Sequence, residues 1–336
     1  MVRMAKVGVI GGGAFGTAMA CVVRRAGNEV VLWAREPEVV ESVNRERENK
    51  VFLKGVPVLD GIVATGNLEA AVRGKDFLLA VVPAQHQRRV ATELAKFLPP
   101  GLPVVNCSKG VERGTCALMP QVLSEALPGA VVAVLSGPSF AKEIAVDLPC
   151  GVTLACADRE IGERLCKSIG TELFRAYHSF DVIGAAVGGV MKNVISIASG
   201  IVAGRKLGEN ARATLITRGL AEATRLGVAM GAHEDTFLGL AGVGDLMLTA
   251  NSLQSRNTSL GVAIGEGKRA ADVLAARKEV TEGAFSAEAV AELARRHRVE
   301  MPIAAMVDAI LNHGEELDAS LLKLVHHPYH DELEAG

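Results

Sequence analysis

The stretch AKVGVIGGGAFGTAMACVVRRAGNEVVLWAR, residues 5–35, predicts a strand, a helix and a second strand in direct succession. A short β-branched run (5–10) ends in glycines, a helical pattern stops at Gly27, and a second apolar run (29–35) follows. Three such elements within about 30 residues form a βαβ unit. The chain is therefore expected to start with parallel strands joined by a helix.

The glycines between the first strand and the helix are spaced as G-x-G-x-x-G, at Gly11, Gly13 and Gly16. The match has the context that the motif requires, after a strand and at the start of a helix. Gly11 permits the tight turn, Gly13 lets a pyrophosphate approach the backbone, and Gly16 lets the helix pack closely. Free N–H groups at the helix N-terminus favour an anion. The pattern predicts a dinucleotide site, the alternative being an ordinary glycine-rich turn.

The residues after the second strand bear on which dinucleotide binds. A carboxylate there holds the ribose 2′-hydroxyl of NAD, whereas an arginine accommodates the 2′-phosphate of NADP. Arg35 comes first in this chain and Glu36 follows it. This order favours NADP and leaves NAD open, and a surface ion pair is the alternative role for Arg35.

Further strands follow the first βαβ unit. Apolar runs at 76–83, 103–110 and 130–139 are nearly continuous, and a pair of runs comes after them at 151–157 and 173–179. Strands buried on both faces have this pattern, as in a parallel sheet covered by helices. The first part of the chain is therefore predicted to be an α/β, Rossmann-like domain with a mostly parallel sheet.

Helical patterns replace the strands in the second half, at 187–203 and 209–228 and in shorter segments to residue 330. We expect a dinucleotide-binding domain over 1–185 and an all-helical substrate and catalytic domain over 186–336. An arrangement of this kind would leave a cleft where the two domains meet.

The composition excludes several classes of partner. The 336 residues are 49% hydrophobic, which is enough for more than one core. The formal net charge of −2 gives no bulk attraction to nucleic acid or to anionic lipid. Six cysteines show neither a CxxC pair nor zinc-like spacing, and the chain starts in a strand without a signal-peptide pattern. A reducing, cytoplasmic location is expected.

Lys192 lies in the middle of the apolar run 182–203. A lysine at the centre of a membrane span costs about 2.5–3.5 kcal/mol, so the run is predicted to be a buried helix. On that helix Lys192 shares its face with small residues such as Gly188 and Ser196, which leaves room for a ligand. Burial should lower its pKa toward neutrality, as a general acid/base requires. A structural lysine paired with a carboxylate is the alternative.

Asp245 stands alone among glycines and aliphatic residues in GLAGVGDLMLTA, residues 239–250. A charge in such surroundings needs a partner. We expect Asp245 to pair with Lys192 or to accept a hydrogen bond from a substrate hydroxyl. The alternative is that it caps a helix starting at Leu246.

Arg256 lies between Ser255 and Asn257 at the predicted start of another helix. Arginine holds phosphate through two parallel hydrogen bonds, and its neighbours add donors at the positive end of the helix. These three residues predict an anion clamp, with helix capping and a surface arginine as the alternative.

Two weaker signals fall at the ends of predicted strands. Lys109 closes the run 103–110, and a turn from Gly137 to Ser139 follows the strand after it. Ligands of an open parallel sheet collect beyond the carboxyl ends of its strands. These residues are therefore candidates for a substrate contact, against a solvated lysine and an ordinary helix cap.

The end of the chain adds two more signals. Val280 and Glu282 precede a helix and are a possible cofactor contact. A histidine cluster in the tail allows a metal site, although a solvated tail is favoured. Its members are His326, His327, His330 and Asp331.

Together these motifs resemble the bacterial NAD(P)-dependent glycerol-3-phosphate dehydrogenases over nearly the full length. The likeness rests on GGGAFGTAMA (11–20), LWAREPE (32–38), NCSKG (106–110), SGPSFAKEIA (136–145), GGVMKNVISIASGI (188–201), LGENARATLITRGLAE (207–222), GLAGVGDLMLT (239–249) and SRN (255–257). Many dehydrogenases share the glycine fingerprint. The succession MKNVISIASGI, GLAGVGDL and SRN is far more specific.

The resemblance implies a cytoplasmic, homodimeric enzyme that reduces dihydroxyacetone phosphate to sn-glycerol 3-phosphate, the backbone of phospholipids. It implies that Lys192 is the catalytic acid/base and that no metal takes part. The positions implied to contact the substrate are Lys109, Gly137, Ser139, Lys192, Asp245, Ser255, Arg256 and Asn257. Those implied to line the NAD(P) site are Gly11, Gly13, Ala14, Phe15, Gly16, Arg35, Lys109, Ala141, Arg256, Val280 and Glu282.

The chain departs from the family pattern at two places. Phe15 stands where the family often has Trp or Tyr, which still suits a flat cofactor contact, and Ala203 replaces a common Asp. Two other functions stay open on the residues alone: a dehydrogenase of a β-hydroxyacid or sugar acid, and a non-catalytic NAD(P) sensor. The separate anion clamp favours a phosphorylated substrate, and a sensor has no need of a buried lysine.

Overall fold

The computed structural model describes residues 4–277 and 281–326. The chain divides into two compact units. The first takes in residues up to 108 and 119–182, and the second takes in 109–118 and those from 183 onward. The grouping of 109–118 with the second unit has no counterpart in the sequence pattern, which placed this segment in the first domain.

The first unit is built on a large sheet. The strands are β1 Lys6–Ile10, β2 Glu29–Trp33, β3 Glu48–Asn49, β4 Leu53–Pro57, β5 Ile62–Thr65, β6 Phe77–Ala80, β7 Pro103–Asn106, β8 Val131–Ser136, β9 Cys150–Ala155 and β10 Phe174–Ser179. Eight of these strands form one sheet in the order β10-β9-β8-β7-β6-β1-β2-β5, and β3 pairs separately with β4. Within the large sheet every pairing of these strands is parallel except that of β8 with β9. The predicted α/β class is confirmed.

Helices cover both faces of this sheet. They are α1 Ala14–Arg25, α2 Pro37–Glu46, α3 Leu68–Val72, α4 Ala84–Leu94, α5 Met119–Ala126, α6 Ala141–Ala145 and α7 Arg159–Ile169. On β6, Leu79 belongs to one apolar cluster, whereas its neighbours Leu78 and Ala80 belong to another. Successive side chains of a strand point to opposite faces, so both faces are buried. This burial explains why the strands are near-continuous apolar runs.

This core contains a buried polar side chain that lacks hydrogen-bond partners. Gln87 on α4 is 1% exposed, and neither atom of its amide has a hydrogen-bond partner. It lies among Ile10, Val90 and Leu94, where the remaining space is too small for a water molecule. A buried amide without partners opposes folding.

Replacing Gln87 by leucine is therefore expected to raise the free energy of unfolding by about 1–2 kcal/mol, since the unsatisfied amide costs about 1–3 kcal/mol. Urea unfolding at equilibrium measures the change. The matched control is Gln121→Leu, at an exposed glutamine on α5, which should change stability by less than about 0.5 kcal/mol. A loss of stability in Gln87→Leu would show that the amide has a partner of its own.

The second unit is helical in its described residues, apart from an isolated bridge between Val111 and Leu118. Its α-helices are α8 Val182–Gly204, α9 Glu209–Ala229, α10 Asp245–Ala250, α11 Arg256–Gly265, α12 Ala270–Ala275, α13 Glu282–His297, α14 Pro302–Asn312 and α15 Leu317–Val325. A 3-10 helix at Glu234–Leu238 and a π-helix at Leu240–Gly244 lie between α9 and α10. The predicted all-helical second half is confirmed.

The long apolar helix α8 is a central core element. It is long and apolar enough to cross a membrane, yet 83% of its most apolar window is buried inside the protein. A Cβ atom at Gly261 would lie 2.0 Å from the Ile197 carbonyl oxygen, and one at Gly200 would lie 2.2 Å from the Thr258 carbonyl oxygen. Glycine is therefore required where α8 and α11 touch backbone to backbone. The predicted buried helix is present.

Candidate active site

The glycine turn between β1 and α1 has the space that a dinucleotide phosphate needs. Gly11 has a φ of +126°, and a Cβ there would lie 2.6 Å from the Val81 carbonyl oxygen. A Cβ at Gly16 would lie 1.8 Å from the Gly11 carbonyl oxygen, whereas one at Gly13 would meet nothing within 4 Å. Only the middle glycine faces open space, so a pyrophosphate can approach the backbone there.

The first turn of α1 completes this anion site. Ala14 and Phe15, both predicted cofactor contacts, are its first two residues, and the turn carries no acidic side chain. The first N–H groups of a helix have no acceptor within the helix, and they carry partial positive charge. The residues present therefore fit the phosphates of NAD or NADP.

Arg35 and Glu36 lie just beyond the end of β2. The Arg35 guanidinium donates from Nε and Nη2 to Glu36 Oε1, at 3.1 and 2.8 Å. The Arg35 side chain is 64% exposed. An arginine and a carboxylate thus share the position at which a Rossmann-type domain recognises the ribose.

The turn after β8 holds two predicted site residues, Gly137 and Ser139, and a third, Ala141, begins the helix that follows. Gly137 follows the strand directly with a φ of +142°, and a Cβ there would lie 3.0 Å from the Val152 Cα. Ser139 Oγ donates to the Gly137 carbonyl oxygen at 3.0 Å and does not cap the next helix. That helix, α6, begins at Ala141 with Phe140 as its N-cap. The alternative of Ser139 as an ordinary cap is therefore wrong.

Lys192 is at the centre of a buried polar cluster in the second unit. Its side chain is 12% exposed, and Nζ lies 3.1 Å from Asp245 Oδ1. Nζ also donates to Thr249 Oγ1 at 2.9 Å, and Thr249 donates to Asp245 Oδ1 at 3.3 Å. The expected pair of Lys192 with Asp245 is present.

The other oxygen of the same carboxylate is bound by a second lysine. Lys109 Nζ donates to Asp245 Oδ2, and the Lys109 side chain is 16% exposed. Lys109 lies three residues beyond the end of β7, in the segment that groups with the second unit. One buried carboxylate therefore holds two ammonium groups, an arrangement that the sequence did not indicate.

Burial and charge set the proton affinities of this cluster. Desolvation lowers the pKa of Lys192 from 10.5 to about 8, with the charges of Lys109 and Arg256 acting in the same direction and Asp245 opposing them. Burial opposes ionisation of Asp245, but the two lysines hold its pKa below the ordinary value. Asp245 is thus an anion at neutral pH, and the predicted lowering of the Lys192 pKa is confirmed.

A π-helix immediately before α10 places Asp245. Gly242 is in this turn, and a Cβ there would lie 2.2 Å from the Phe237 carbonyl oxygen. Gly188, one turn before Lys192 on α8, lets the Ala241 carbonyl oxygen approach to 2.3 Å from where a Cβ would be. The glycines of this segment therefore allow a tight turn to pack directly on α8.

The alternative role for Asp245, a helix cap, is wrong. Asp245 is the first residue of α10, Gly244 is its N-cap, and no side chain makes a capping hydrogen bond there. The Asp245 side chain is 2% exposed and faces the two lysines. Thr249, one helical turn later, was missed by the sequence analysis, although the spacing of four residues places it on the same face.

A chain of amide hydrogen bonds joins four segments of the second unit. The Gly283 N–H donates to Asn257 Oδ1 at 3.1 Å, Asn257 Nδ2 donates to Asn193 Oδ1 at 2.8 Å, and Asn193 Nδ2 donates to the Lys109 carbonyl oxygen at 3.0 Å. Gly283, Asn257 and Asn193 each directly follow a predicted site residue in the sequence. The chain therefore fixes the backbones that carry Glu282, Arg256, Lys192 and Lys109.

The predicted anion clamp stands at the N-terminus of α11. Ser255 is the N-cap, and its hydroxyl accepts from the Thr258 N–H at 3.2 Å. Arg256 is the first helical residue and is exposed, whereas Asn257 is 7% exposed and has both amide atoms in the hydrogen-bond chain. Ser255 and Asn257 thus build the end of the helix, and Arg256 is the member that faces solvent.

The remaining predicted residues lie near α13 or beyond the described chain. Glu282 is the first residue of α13, and Val280 lies outside the described residues. His326 is the last described residue, so the rest of the tail cluster, His327, His330 and Asp331, lies outside as well. Within 4–277 and 281–326 no group of three His, Cys, Asp or Glu side chains has metal-binding geometry.

A mostly parallel sheet with this glycine turn, followed by a helical unit with a buried lysine–carboxylate centre, defines a two-domain, NAD(P)-dependent dehydrogenase. The sequence models of the NAD-dependent glycerol-3-phosphate dehydrogenase N-terminus and C-terminus match residues 6–162 and 181–321. The chain belongs to this family, as the resemblance of its motifs predicted.

Similar proteins agree over nearly the whole length. The glycerol-3-phosphate dehydrogenase [NAD(P)+] of Parvibaculum lavamentivorans is 53% identical over 97% of this chain and 98% of its own. That of Caulobacter vibrioides is 52% identical over 96% and 97%. The crystal structure of glycerol-3-phosphate dehydrogenase from Coxiella burnetii superposes with a TM-score of 0.91 at 35% identity, covering 96% of this chain and 99% of that one.

Proposed function

We propose that the protein catalyses the reversible, NAD(P)-dependent reduction of dihydroxyacetone phosphate to sn-glycerol 3-phosphate, which supplies glycerophospholipid synthesis. The family and the names of its relatives support this reaction. The observation that carries the proposal is Lys192, a buried ammonium with a pKa of about 8 held against Asp245. Such a group can give up and regain a proton at neutral pH.

The proposed mechanism assigns a role to each charged residue of the site. NAD(P)H, held by its phosphates at the glycine turn between β1 and α1, would supply the hydride for C2 of the ketone. Lys192 then donates its proton to the alkoxide that develops on the C2 oxygen, and the fixed positive charges of Lys192 and Lys109 stabilise that oxygen. Asp245 keeps Lys192 oriented and positively charged. Arg256 holds the phosphate at the N-terminus of α11.

Further contacts are proposed from the motifs. The remaining substrate contacts are Gly137, Ser139, Ser255 and Asn257. The cofactor contacts are Gly11, Gly13, Ala14, Phe15, Gly16, Arg35, Lys109, Ala141, Arg256, Val280 and Glu282. We assign dinucleotide binding mainly to residues 1–185 and substrate binding and catalysis mainly to 186–336. The exceptions are the substrate contacts Lys109 and the turn after β8 in the first range, and the cofactor contacts Arg256, Val280 and Glu282 in the second.

We also infer that the enzyme acts in the cytoplasm as a homodimer. Each of the six cysteines is a free thiol, as expected in a reducing compartment. The dimer follows from the family resemblance alone, and light scattering of the purified protein tests it.

The experiment for the reaction measures oxidation of NADPH and of NADH with dihydroxyacetone phosphate and with unphosphorylated dihydroxyacetone. We expect a much higher kcat/KM for the phosphorylated ketone. Turnover of a β-hydroxyacid or sugar acid in its place would identify a different dehydrogenase. NADPH that binds but is oxidised with no ketone would identify a sensor.

Cofactor choice gives a separate prediction. Replacing Arg35 by alanine should raise KM for NADPH about 10- to 100-fold, because hydrogen bonds to charged groups contribute about 1.5–3 kcal/mol. KM for NADH should stay within about 2-fold, since NADH has no 2′-phosphate. The matched control is Arg45→Ala, which removes an arginine of α2 that pairs with Glu41. Equal changes for both cofactors would assign Arg35 to the surface ion pair alone.

A further inference from the structure

Arg277 makes a forked contact with the start of α11. Its Nη1 donates to the Arg256 carbonyl oxygen at 2.7 Å, and its Nη2 donates to Ser259 Oγ at 3.1 Å. Ser259 Oγ in turn donates to the same Arg256 carbonyl oxygen at 3.1 Å. The three groups close a ring of hydrogen bonds around one backbone carbonyl.

This ring joins residues that are distant in sequence. Arg277 lies 21 residues after Arg256 and beyond the end of α12, so the contact is tertiary. A guanidinium presents its donors in a rigid, planar fork, and two acceptors at this spacing fix its orientation and their own. The contact therefore restrains the first turn of α11, from which the Arg256 side chain extends.

We propose that Arg277 is a positioning residue that fixes the backbone of the phosphate-binding Arg256. The proposal rests on the proposed function, in which Arg256 holds the phosphate of the substrate. An exposed arginine binds phosphate more tightly when its point of attachment is fixed, because less conformational freedom is then lost on binding. Loss of the restraint is therefore expected to weaken binding of the substrate phosphate more than it slows the chemical step.

The surroundings of Arg277 make it suitable for substitution. It lies in the wall of an open cavity of about 590 Å³, together with Ala263, Lys268, Asp272 and Ala276. Removing the side chain therefore enlarges a space that is already open and creates no void in the core. The change should lower stability only modestly, because the two hydrogen bonds that it removes are at least partly exposed to solvent.

The test compares Arg277→Ala with the wild type at saturating NADPH. We expect KM for dihydroxyacetone phosphate to rise about 10-fold, kcat to change less than about 3-fold, and kcat/KM for dihydroxyacetone to stay the same. Ser259→Ala should raise the same KM by a smaller factor. The double variant should be less than additive, since both side chains act on one carbonyl. Arg277→Lys should raise KM less than Arg277→Ala does, because an ammonium can replace one of the two donors.

Lys268→Ala is the matched control for charge. Lys268 lines the same cavity, and its ammonium pairs with Glu266. An equal rise in KM in this variant would show that the local positive charge matters rather than position, and would overturn the proposal. An unchanged KM in Arg277→Ala, or an equal loss with both ketones, would also overturn it.

Failure of the proposed function has a different signature. In that case the wild type does not reduce dihydroxyacetone phosphate at all. The positioning role is then read from inorganic phosphate as the probe, through its protection of the protein against thermal unfolding. Protection weakened in both Arg256→Ala and Arg277→Ala would support the inference, and equal protection in Arg277→Ala and wild type would contradict it.

Discussion

Replacing Lys192 by alanine is expected to lower kcat for dihydroxyacetone phosphate reduction by about 10³- to 10⁴-fold, the upper part of the range for general acid catalysis. The loss has two physical sources. The alkoxide on the C2 oxygen no longer receives a proton from a positioned donor, and a fixed positive charge disappears from a buried site. Binding of NADPH should change less than about 2-fold, because Lys192 is not among the proposed cofactor contacts.

We expect this variant to fold, because Asp245 keeps other partners. Without Lys192 the carboxylate of Asp245 keeps Lys109 as an ion partner and Thr249 as a hydrogen-bond donor. Lys192→Met is the matched control, since it fills a similar volume without the charge. Both variants should show the same loss of kcat, measured by stopped assays at high enzyme concentration, and an unchanged Kd for NADPH by fluorescence titration. A kcat within about 10-fold of wild type would remove Lys192 from its role.

The same lysine predicts the pH dependence of the wild-type enzyme. Reduction requires the protonated form of Lys192, whose pKa is lowered to about 8. The kcat for reduction should therefore fall as pH rises through about 8, and the kcat for glycerol 3-phosphate oxidation should rise over the same interval, because oxidation requires the neutral amine. Profiles in both directions from pH 6 to 10 measure this. A flat profile across pH 8 would exclude Lys192 as the proton donor.

The elements that the sequence specified well are those governed by local pattern. The βαβ unit follows from residues 5–35 because apolar spacing, glycine placement and helix capping all act within one short segment. Pairing of Lys192 with Asp245 was also within reach, since a charge surrounded by aliphatic residues needs a counter-charge. The hairpin of β3 with β4 was missed because its strands are short and mixed in polarity.

What the sequence could not supply are contacts set by tertiary geometry. Lys109 and Asp245 are 136 residues apart, and no periodicity links them. The hydrogen-bond chain through Asn193 and Asn257 depends on the starts of α11 and α13, the middle of α8 and the segment after β7 meeting at one place. The burial of Gln87 on α4 is a further example. Nothing in the local sequence indicates that this polar side chain is buried without hydrogen-bond partners, where it lowers stability.

Replacing Asp245 by asparagine is expected to damage both stability and activity, because the change leaves two buried ammonium groups without their counter-charge. Removing one partner of a buried ion pair costs about 3–5 kcal/mol. Asparagine preserves the shape of the side chain, so this cost is electrostatic. Urea unfolding of wild type and Asp245→Asn at pH 7 measures it.

The loss of activity in Asp245→Asn should depend on pH in a predictable direction. The charge of Asp245 raises the pKa of Lys192, while burial, Lys109 and Arg256 lower it. Without the carboxylate, the Lys192 pKa falls below its wild-type value of about 8, so a larger fraction of the lysine is neutral at pH 7.5. We expect kcat for reduction to fall about 10²-fold or more at that pH, the scale of general acid catalysis, and its pH limb to move to lower pH. Thr249→Val, which removes a hydroxyl and keeps the charge, should leave the limb close to wild type.

A second substitution distinguishes the effect of the Asp245 charge from that of its hydrogen-bond geometry. If repulsion between the two ammonium groups is what destabilises Asp245→Asn, then adding Lys109→Met should recover part of the lost stability, although Lys109→Met alone should destabilise the protein. This reversal of sign follows because the methionine removes an ion partner in wild type and an uncompensated charge in the variant. Additive losses in the double variant would mean that the carboxylate acts through hydrogen-bond geometry rather than through its charge.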